Sequence, residues 1–368
     1  MADDTSRFMA MKGAGYYSQA TVGARNVITG AIPVVQKALA AQDLSGQTTA
    51  ITMTDMGCAD GGTSLEMWGA VLRDLRAHFP DHPLQLTYTD LPKNDFSQLF
   101  QIVHGQTELP AYAPDIDNLY LMASATSFHH PIVPPGTLNL GFSATASHYI
   151  SETPAQIPDH VHMVGSVGEV RAAFRAQGAR DWEAFLLARA QELAPGGRLV
   201  LYNFGIDENG RYLGHTGGTS MFDTFARLWW ALVEDGTISE AEYRATNFPQ
   251  HYRTVEEFAA PFHDPAGPVY QAGLRLEDIG TLHTRCPFEQ SFTEDHQDAK
   301  RFAKEYIPTL RSWSEPTFVA GLSATRPASE IAPIIDRFYQ SYQDEVEAAP
   351  HGHAMDYIHA RVVAYKYG

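Results

Sequence analysis

Cysteine is almost absent from this 368-residue chain: only Cys58 and Cys286 occur. A disulfide-stapled scaffold is excluded, and so is a cysteine-rich zinc site. Basic residues are scarce as well. Lys and Arg number 26 against 43 Asp and Glu, a formal net charge of −17. That balance argues against binding a phosphate backbone, which needs clustered cations to release counterions, and no nucleic-acid partner is expected. Long hydrophobic runs are missing too. The apolar stretch from Phe225 to Val233 is broken by Arg227 and falls far short of the roughly 20 residues that span a bilayer. No membrane partner is expected, and the acidic start Met1-Ala2-Asp3-Asp4 does not read as a secretory signal. The expectation is a soluble cytoplasmic protein. There are 16 histidines, but His129-His130, His160-x-His162 and His351-x-His353 lack a nearby carboxylate and a third ligand, so no metal is expected.

Hydrophobic residues make up 44% of the chain, enough for one large domain or a domain with a sizeable insertion. Ala50 to Asp55 reads as a strand ending at Met56-Gly57. Leu65, Trp68, Leu72, Leu75 and Phe79 then fall at helical spacing, with Thr63 and Glu66 in capping-box relation. The pattern repeats with strands at Leu84–Thr89, Leu119–Ala123, Leu138–Phe142 and Leu199–Phe204, and helices over about 94–104 and 167–193. Pro195-Gly196-Gly197 reads as the stop of the second helix. Such alternation predicts an α/β fold, a mostly parallel sheet with helices on both faces. It breaks near Arg211. Two helical stretches rich in aromatics follow, separated and ended by strands at Leu276–Cys286 and Ile358–Tyr367. The economical division has a core of residues 40–210, 272–288 and 350–368, an α-helical cap of 211–271 and 289–349, and an N-terminal lid of 1–39.

Ligands of open α/β sheets sit beyond the carboxyl ends of the strands, where Asp55-Met56-Gly57-Cys58-Ala59-Asp60-Gly61 falls. Glycine there lets backbone approach a ligand closely. The spacing of Gly57, Gly61 and Gly62 does not fit the Gly-x-Gly-x-x-Gly of dinucleotide sites, which disfavours a nicotinamide dehydrogenase. An acid at the strand end suits a positively charged cofactor instead, and Asp90, closing the next strand, can accept hydrogen bonds from ribose hydroxyls. A tight strand-to-helix turn with no ligand stays open on this pattern, as does a helix-entry role for Asp90 before Pro92. Cys58 reads as a small packing residue.

Further segments, taken in order, extend the pattern: Asp90-Leu91-Pro92-Lys93-Asn94-Asp95-Phe96, Ser127-Phe128-His129, Ser143 to Ser151, and Arg189-Ala190-Gln191-Glu192-Leu193-Ala194-Pro195-Gly196-Gly197. With Met11-Lys12-Gly13, Val233 to Ile238 and Asn247-Phe248-Pro249, the chain resembles the SABATH family, taken here as a microbial member. These are S-adenosylmethionine-dependent methyltransferases that esterify small carboxylic acids such as salicylic, benzoic, jasmonic and indole-acetic acid. Some relatives methylate a ring nitrogen of xanthines. The resemblance implies a Rossmann-like class I methyltransferase core with a helical cap, S-adenosylmethionine as cofactor, S-adenosylhomocysteine as product and a homodimer.

Carried over position by position, the resemblance assigns Asp55, Gly57, Gly61 and Thr63 to the first cofactor turn. Asp90 falls to the ribose, Leu91 to the adenine, and Ser127 and Phe128 beside it; Tyr17 and Thr21 contribute from the amino-terminal stretch. The carboxylate clamp departs from the family. His148 is kept, but Tyr149 stands where a Trp is usual, and the clamp's Gln falls on Ala24 or, shifted by one, Arg25. A Tyr hydroxyl can replace an indole donor, and an inward Arg25 would bind both carboxylate oxygens. Lys12, Thr145, Trp229 and Trp230 complete the expected substrate contacts, with Thr145 widening the pocket.

A carboxylate with a free pKa near about 4 is ionised at neutral pH and needs no general base. The expected reaction is in-line methyl transfer to a small aromatic mono- or dicarboxylic acid, with His148 and Tyr149 as catalytic positions. An N-methyltransferase of a heterocycle, or a silent cofactor-binding homologue, are the alternatives.

Overall fold

The computed structural model describes residues 21–216 and 218–368. Two short helices, α1 (Val22–Gly30) and α2 (Ile32–Ala40), lead into the first strand, β1 (Ile51–Met56). Then follow α3 (Leu65–His78), β2 (Leu84–Asp90), α4 (Phe96–Val103), β3 (Leu119–Ala125) and β4 (Leu138–Ala144). The long helix α5 (Gly168–Glu192) runs directly into β5 (Leu193–Ile206). Thus Pro195-Gly196-Gly197 is not the loop expected after a helix. It lies inside β5, where the pairing with β4 shifts register between Leu138 and Leu140 and Gly196 adopts φ +78°.

The sheet has eight strands in the order β3-β2-β1-β4-β5-β8-β7, with the two-residue β6 (Arg253–Thr254) beside β5. Strands β1 to β5 are parallel, whereas β8 (Tyr357–Lys366) pairs antiparallel with β5 and with β7 (Leu274–Thr284). Every residue of β1 and β4 is buried, as parallel strands covered on both faces require. Along β5 successive residues serve opposite cores, Val200, Tyr202 and Phe204 on one side and Leu199 and Leu201 on the other, the period-two alternation of a strand.

Helices α6 (Met221–Glu234), α7 (Glu240–Ala245), α11 (Ala299–Gly321) and α12 (Ala328–Ala348) form an aromatic layer continuous with the core on one side of the sheet. Phe225 meets Phe318 at 5.3 Å and Phe338 at 5.8 Å between ring centres. The α8 (Val255–His263) and α9 (Pro268–Gln271) segments, expected with that layer, pack on the sheet instead. Phe258, Phe262 and Val269 share a core with Trp182, Leu199 and Val362, because their apolar faces complete the side of β5 and β8 that α5 leaves uncovered. The short α10 (Pro287–Ser291) links β7 to α11. Among the described residues no helix is long and apolar enough to cross a membrane.

Candidate functional site

Strand order reverses between β1 and β4, so the loops after β1, β2 and β4 converge at one switch point. The turn after β1 holds three residues in the left-handed region: Gly57 (φ +79°), Ala59 (φ +48°) and Gly61 (φ +75°). A Cβ on Gly57 would collide with Ala146 Cβ. That turn is stitched to the one after β2. Ala59 N–H donates to Asp90 Oδ2 at 2.8 Å, Leu91 N–H to Asp90 Oδ1 at 2.8 Å, and the Asn94 carboxamide to Ala59 O at 2.7 Å. Burial raises the Asp90 carboxyl above its usual range while the two backbone amides pull the other way.

These turns form one wall of a cleft lined by Gly57, Asp90, Leu91, Ser127 and Phe128 and faced by the Thr145–Ser151 loop. A smaller recess continues from it past Asp55, Cys58, Thr63 and Ser64. Asp55 Oδ2 accepts from Ser64 Oγ at 2.7 Å and from Trp68 Nε1 at 2.8 Å. Burial pushes the Asp55 carboxyl up to about 6, against those two hydrogen bonds. The capping box read from Thr63 and Glu66 does not form. Ser64 precedes α3 without capping it, since its hydroxyl is spent on Asp55.

On the other side of the Thr145–Tyr149 loop lies a chamber of about 390 Å³, walled by His148, Tyr149, Phe204, Tyr252, Trp313 and Tyr357, with Thr21 and Ala24 on its amino-terminal side. His148 is 2% exposed. Its ring lies 4.5 Å from that of Tyr149 and 4.8 Å from that of Phe204. Among the described residues its Nδ1 has no hydrogen-bond partner. Burial, then the charges of His359 and Arg253, push the imidazole well below its usual range, so it is neutral at neutral pH. Gln250 Oε1 accepts from the Tyr252 hydroxyl at 3.2 Å and lies 3.2 Å from His162 Nε2. Thr145 and Tyr149 border both cleft and chamber. Thr145 is held at φ +56°, its N–H donating to Tyr202 O at 2.8 Å. For a β-branched residue that conformation is strained, and such strain gathers at functional sites.

Residues 5–363 match the family of SAM-dependent carboxyl methyltransferases. The chain belongs to that family. Methyltransferase FUS9 of Gibberella fujikuroi is 27% identical over 67% of this chain and 65% of its own length. Gibberellic acid methyltransferase 2 of Arabidopsis thaliana is 24% identical over 63% of this chain and 64% of its own. The chain thus aligns with just under two thirds of these relatives. The solved structure of a loganic acid methyltransferase with SAH superposes with TM-score 0.77 over 97% of this chain and 99% of its own, at 20% identity. That likeness shows the fold: a mixed α/β methyltransferase.

Within this carboxyl methyltransferase scaffold the expected site residues separate. Gly57, Asp90, Leu91, Ser127 and Phe128 line the cleft, and Asp55 and Thr63 the recess. Thr145, His148 and Tyr149 border the chamber. Gly61 lines neither; its turn is closed by a hydrogen bond from its N–H to Cys58 O, and a Cβ there would press on Leu99. Thr21, expected at the cofactor, lies in the chamber wall instead. Ala24 also stands in that wall, whereas half-buried Arg25 is not among the described residues that line it. One helical step of roughly 100° separates them.

Trp229 and Trp230 are corrected. Trp229 is buried inside the helical layer, its indole donating to Thr246 Oγ1 at 3.0 Å and its ring 4.9 Å from Phe318. Trp230 is 36% exposed on the outer side against Tyr243. Neither lines the chamber, because α6 turns both away from it. Lys12 and Tyr17 lie outside the described residues. Burial and the nearby Asp90 and Asp55 charges raise the Cys58 thiol well above its usual value, which leaves it unreactive as a nucleophile. Missed in the sequence were Phe204, Gln250, Tyr252, Trp313 and Tyr357; Phe204 ends a strand and Gln250 follows Asn247-Phe248-Pro249, but neither pattern tells which cavity the residue lines.

Proposed function

We propose that the protein transfers the methyl group of S-adenosylmethionine to the carboxylate of a small monocarboxylic or dicarboxylic acid with an aromatic body. The observation carrying this reading is the shared wall: Thr145 and Tyr149 border the cleft on one side and the chamber on the other. A cofactor in the first and an acid in the second would meet there.

The cleft suits the cofactor chemically. Absence of a Cβ at Gly57 lets Ala146 pack against the turn, an acid stands at each end of the cleft and its recess, and an apolar face stands between them. In this reading Asp90, Leu91, Ser127 and Phe128 hold the adenosine end, and Asp55 and Thr63 the positively charged amino-acid end. When bound, the cofactor supplies a methyl group on a sulfonium, an activated leaving group. The chain's own work is then positional. Tyr149 donates its hydroxyl to one carboxylate oxygen. His148, neutral by burial, orients the acid through an N–H and draws no proton. Phe204, Tyr252, Trp313 and Tyr357 exclude water from the acid's body. Holding reactants close and aligned in this way can supply several kcal/mol. The α6, α7, α11 and α12 layer acts as a cap over the chamber; of the lid read for residues 1–39, residues 1–20 lie outside the described residues. A homodimer and a cytoplasmic location belong to the same reading.

A screen of small aromatic and aliphatic acids with S-adenosylmethionine, read as methyl ester by mass spectrometry, tests it. Ester from at least one aromatic acid is expected. Methylation confined to ring nitrogens of heterocycles would overturn it.

A further inference from the structure

The Arg189 to Gly197 segment helped carry the family resemblance yet has no part in the cleft or the chamber. Arg189 and Glu192 occupy the last turn of α5, three residues apart and so on one side of the helix. Both are completely buried. Arg189 Nε donates to Glu192 Oε2 at 2.6 Å and Nη2 to Glu192 Oε1 at 2.9 Å. The remaining capacity of the pair goes to the segment between β3 and β4. Arg189 Nη1 donates to Phe128 O at 2.8 Å and Nη2 to His130 O at 2.7 Å. Glu192 Oε1 accepts from the N–H groups of Ile132 and, at 3.1 Å, Val133. Arg189 Nη1 also reaches Met56 Sδ at 3.4 Å, at the end of β1 beside Gly57.

The segment so gripped has no regular structure. Of its own backbone hydrogen bonds, His130 N–H to Ser127 O at 3.0 Å is the one between neighbours. Its carbonyls at 128 and 130 and amides at 132 and 133 are satisfied by the two charged side chains instead. Phe128 packs edge-on to Phe185, 5.7 Å away, and the Arg189 guanidinium sits 5.4 Å from that same Phe185 ring. Backbone, ring and helix are therefore locked together directly behind the Ser127–Phe128 wall. A buried ion pair gains little stability over well-packed apolar side chains. What it offers here is geometry: a planar fork and a two-oxygen acceptor that fix four backbone groups at once.

We propose that Arg189 and Glu192 are positioning residues for cofactor binding: the pair sets the backbone of residues 127–133 so that the Ser127–Phe128 wall is formed before any ligand arrives. The proposal rests on the cleft being the cofactor site.

Arg189→Lys keeps the charge but loses the fork. Calorimetry with S-adenosylhomocysteine should show affinity about tenfold weaker, the equivalent of about 1.4 kcal/mol. The KM for the acid at saturating S-adenosylmethionine should stay within about twofold, because the chamber is walled by other segments. Phe262→Leu, a buried change in the same core away from the segment, serves as the stability control. Undiminished affinity in folded R189K overturns the proposal, as does an equal loss in F262L at matched melting temperature. Wild-type protein provides a test independent of any variant, by hydrogen exchange. The Ile132 and Val133 amides should be protected without ligand, to the same degree as with S-adenosylhomocysteine. Protection that appears only on adding ligand overturns the proposal. Asp90→Ala, measured alongside, separates the two readings. Normal S-adenosylhomocysteine binding in D90A would move the cofactor out of the cleft and end both. Weakened binding in D90A with normal binding in R189K would end the positioning role alone.

Discussion

The cleft beside Asp90 and the chamber beside His148 share the Thr145–Tyr149 wall but are assembled in different ways. The cleft comes from loops that each follow a strand directly: 57–61 after β1, 90–91 after β2, 126–129 after β3 and 145–151 after β4. Its turns sit at positive φ, and backbone amides hold the Asp90 carboxylate. The chamber draws single side chains from positions as far apart as Thr21, Phe204, Gln250, Trp313 and Tyr357. Its walls are aromatic, and its shape depends on how the helical layer seats on the sheet. A surface built from backbone demands particular residues at particular spacings. A surface built from side-chain bulk accepts many substitutions, so under the proposed function the same scaffold can admit different acids while the cofactor side stays constant.

The largest effect expected from breaking this comparison is on the cleft. Asp90→Ala removes a half-buried carboxylate acceptor and should weaken S-adenosylhomocysteine binding about 100-fold, near the upper range for hydrogen bonds to a charged group. Calorimetry reads the loss, and the acid's KM at saturating S-adenosylmethionine should barely move.

Next comes the pH dependence of Asp55. Its folded-state pKa is raised to about 6, chiefly by burial, above an unfolded value of about 3.9. The folded state therefore holds the proton more tightly. The stability this contributes is complete below the unfolded value and is lost as pH rises through about 6. A cationic ligand end beside the carboxylate has the opposite preference. Affinity for S-adenosylmethionine should rise about tenfold from pH 5 to pH 7, with proton release visible in buffers of different ionisation enthalpy. Asp55→Asn should flatten that profile; an unchanged slope would remove Asp55 from the recess's role.

Tyr149→Phe probes the chamber side of the shared wall. Losing one hydrogen bond to a charged carboxylate, worth about 1.5 kcal/mol, should raise the acid's KM about tenfold and leave S-adenosylhomocysteine affinity intact. A cofactor effect larger than the acid effect would place the hydroxyl in the cleft instead. Smallest is Thr145→Gly. Releasing a β-branched residue from φ +56° should raise the melting temperature by a few degrees, from about 1 kcal/mol of relieved strain, while slowing turnover as the wall loosens. A lowered melting temperature would show that the Thr side chain outweighs the strain.

How much was legible follows the same division. The strand, turn and helix of residues 51–78 could be read because hydrophobic period and glycine spacing are local properties. The capping box was misread because a hydroxyl and a carboxylate near a helix start have other partners available, and Ser64 found Asp55 nine residues back. Trp229 and Trp230 illustrate the harder limit. Aromatic spacing shows that a helix has an apolar face but not what covers it, and here α11 and α12 do. Residues 253–271 carried the same ambiguity; their apolar faces serve the sheet rather than the cap.

Sequence alone determined the class of the fold, the scarcity of cations and cysteines, and the glycine-rich turns with Asp55 and Asp90, because each is written in contiguous residues. Tertiary structure alone decided that Thr145 and Tyr149 form a common wall, that Ala24 rather than Arg25 faces the chamber, and that Arg189 and Glu192 stand behind Phe128. Arg189 reaches Phe128 across 61 positions of chain, the two sides of the shared wall are closed by segments distant in sequence, and no local spacing records such meetings.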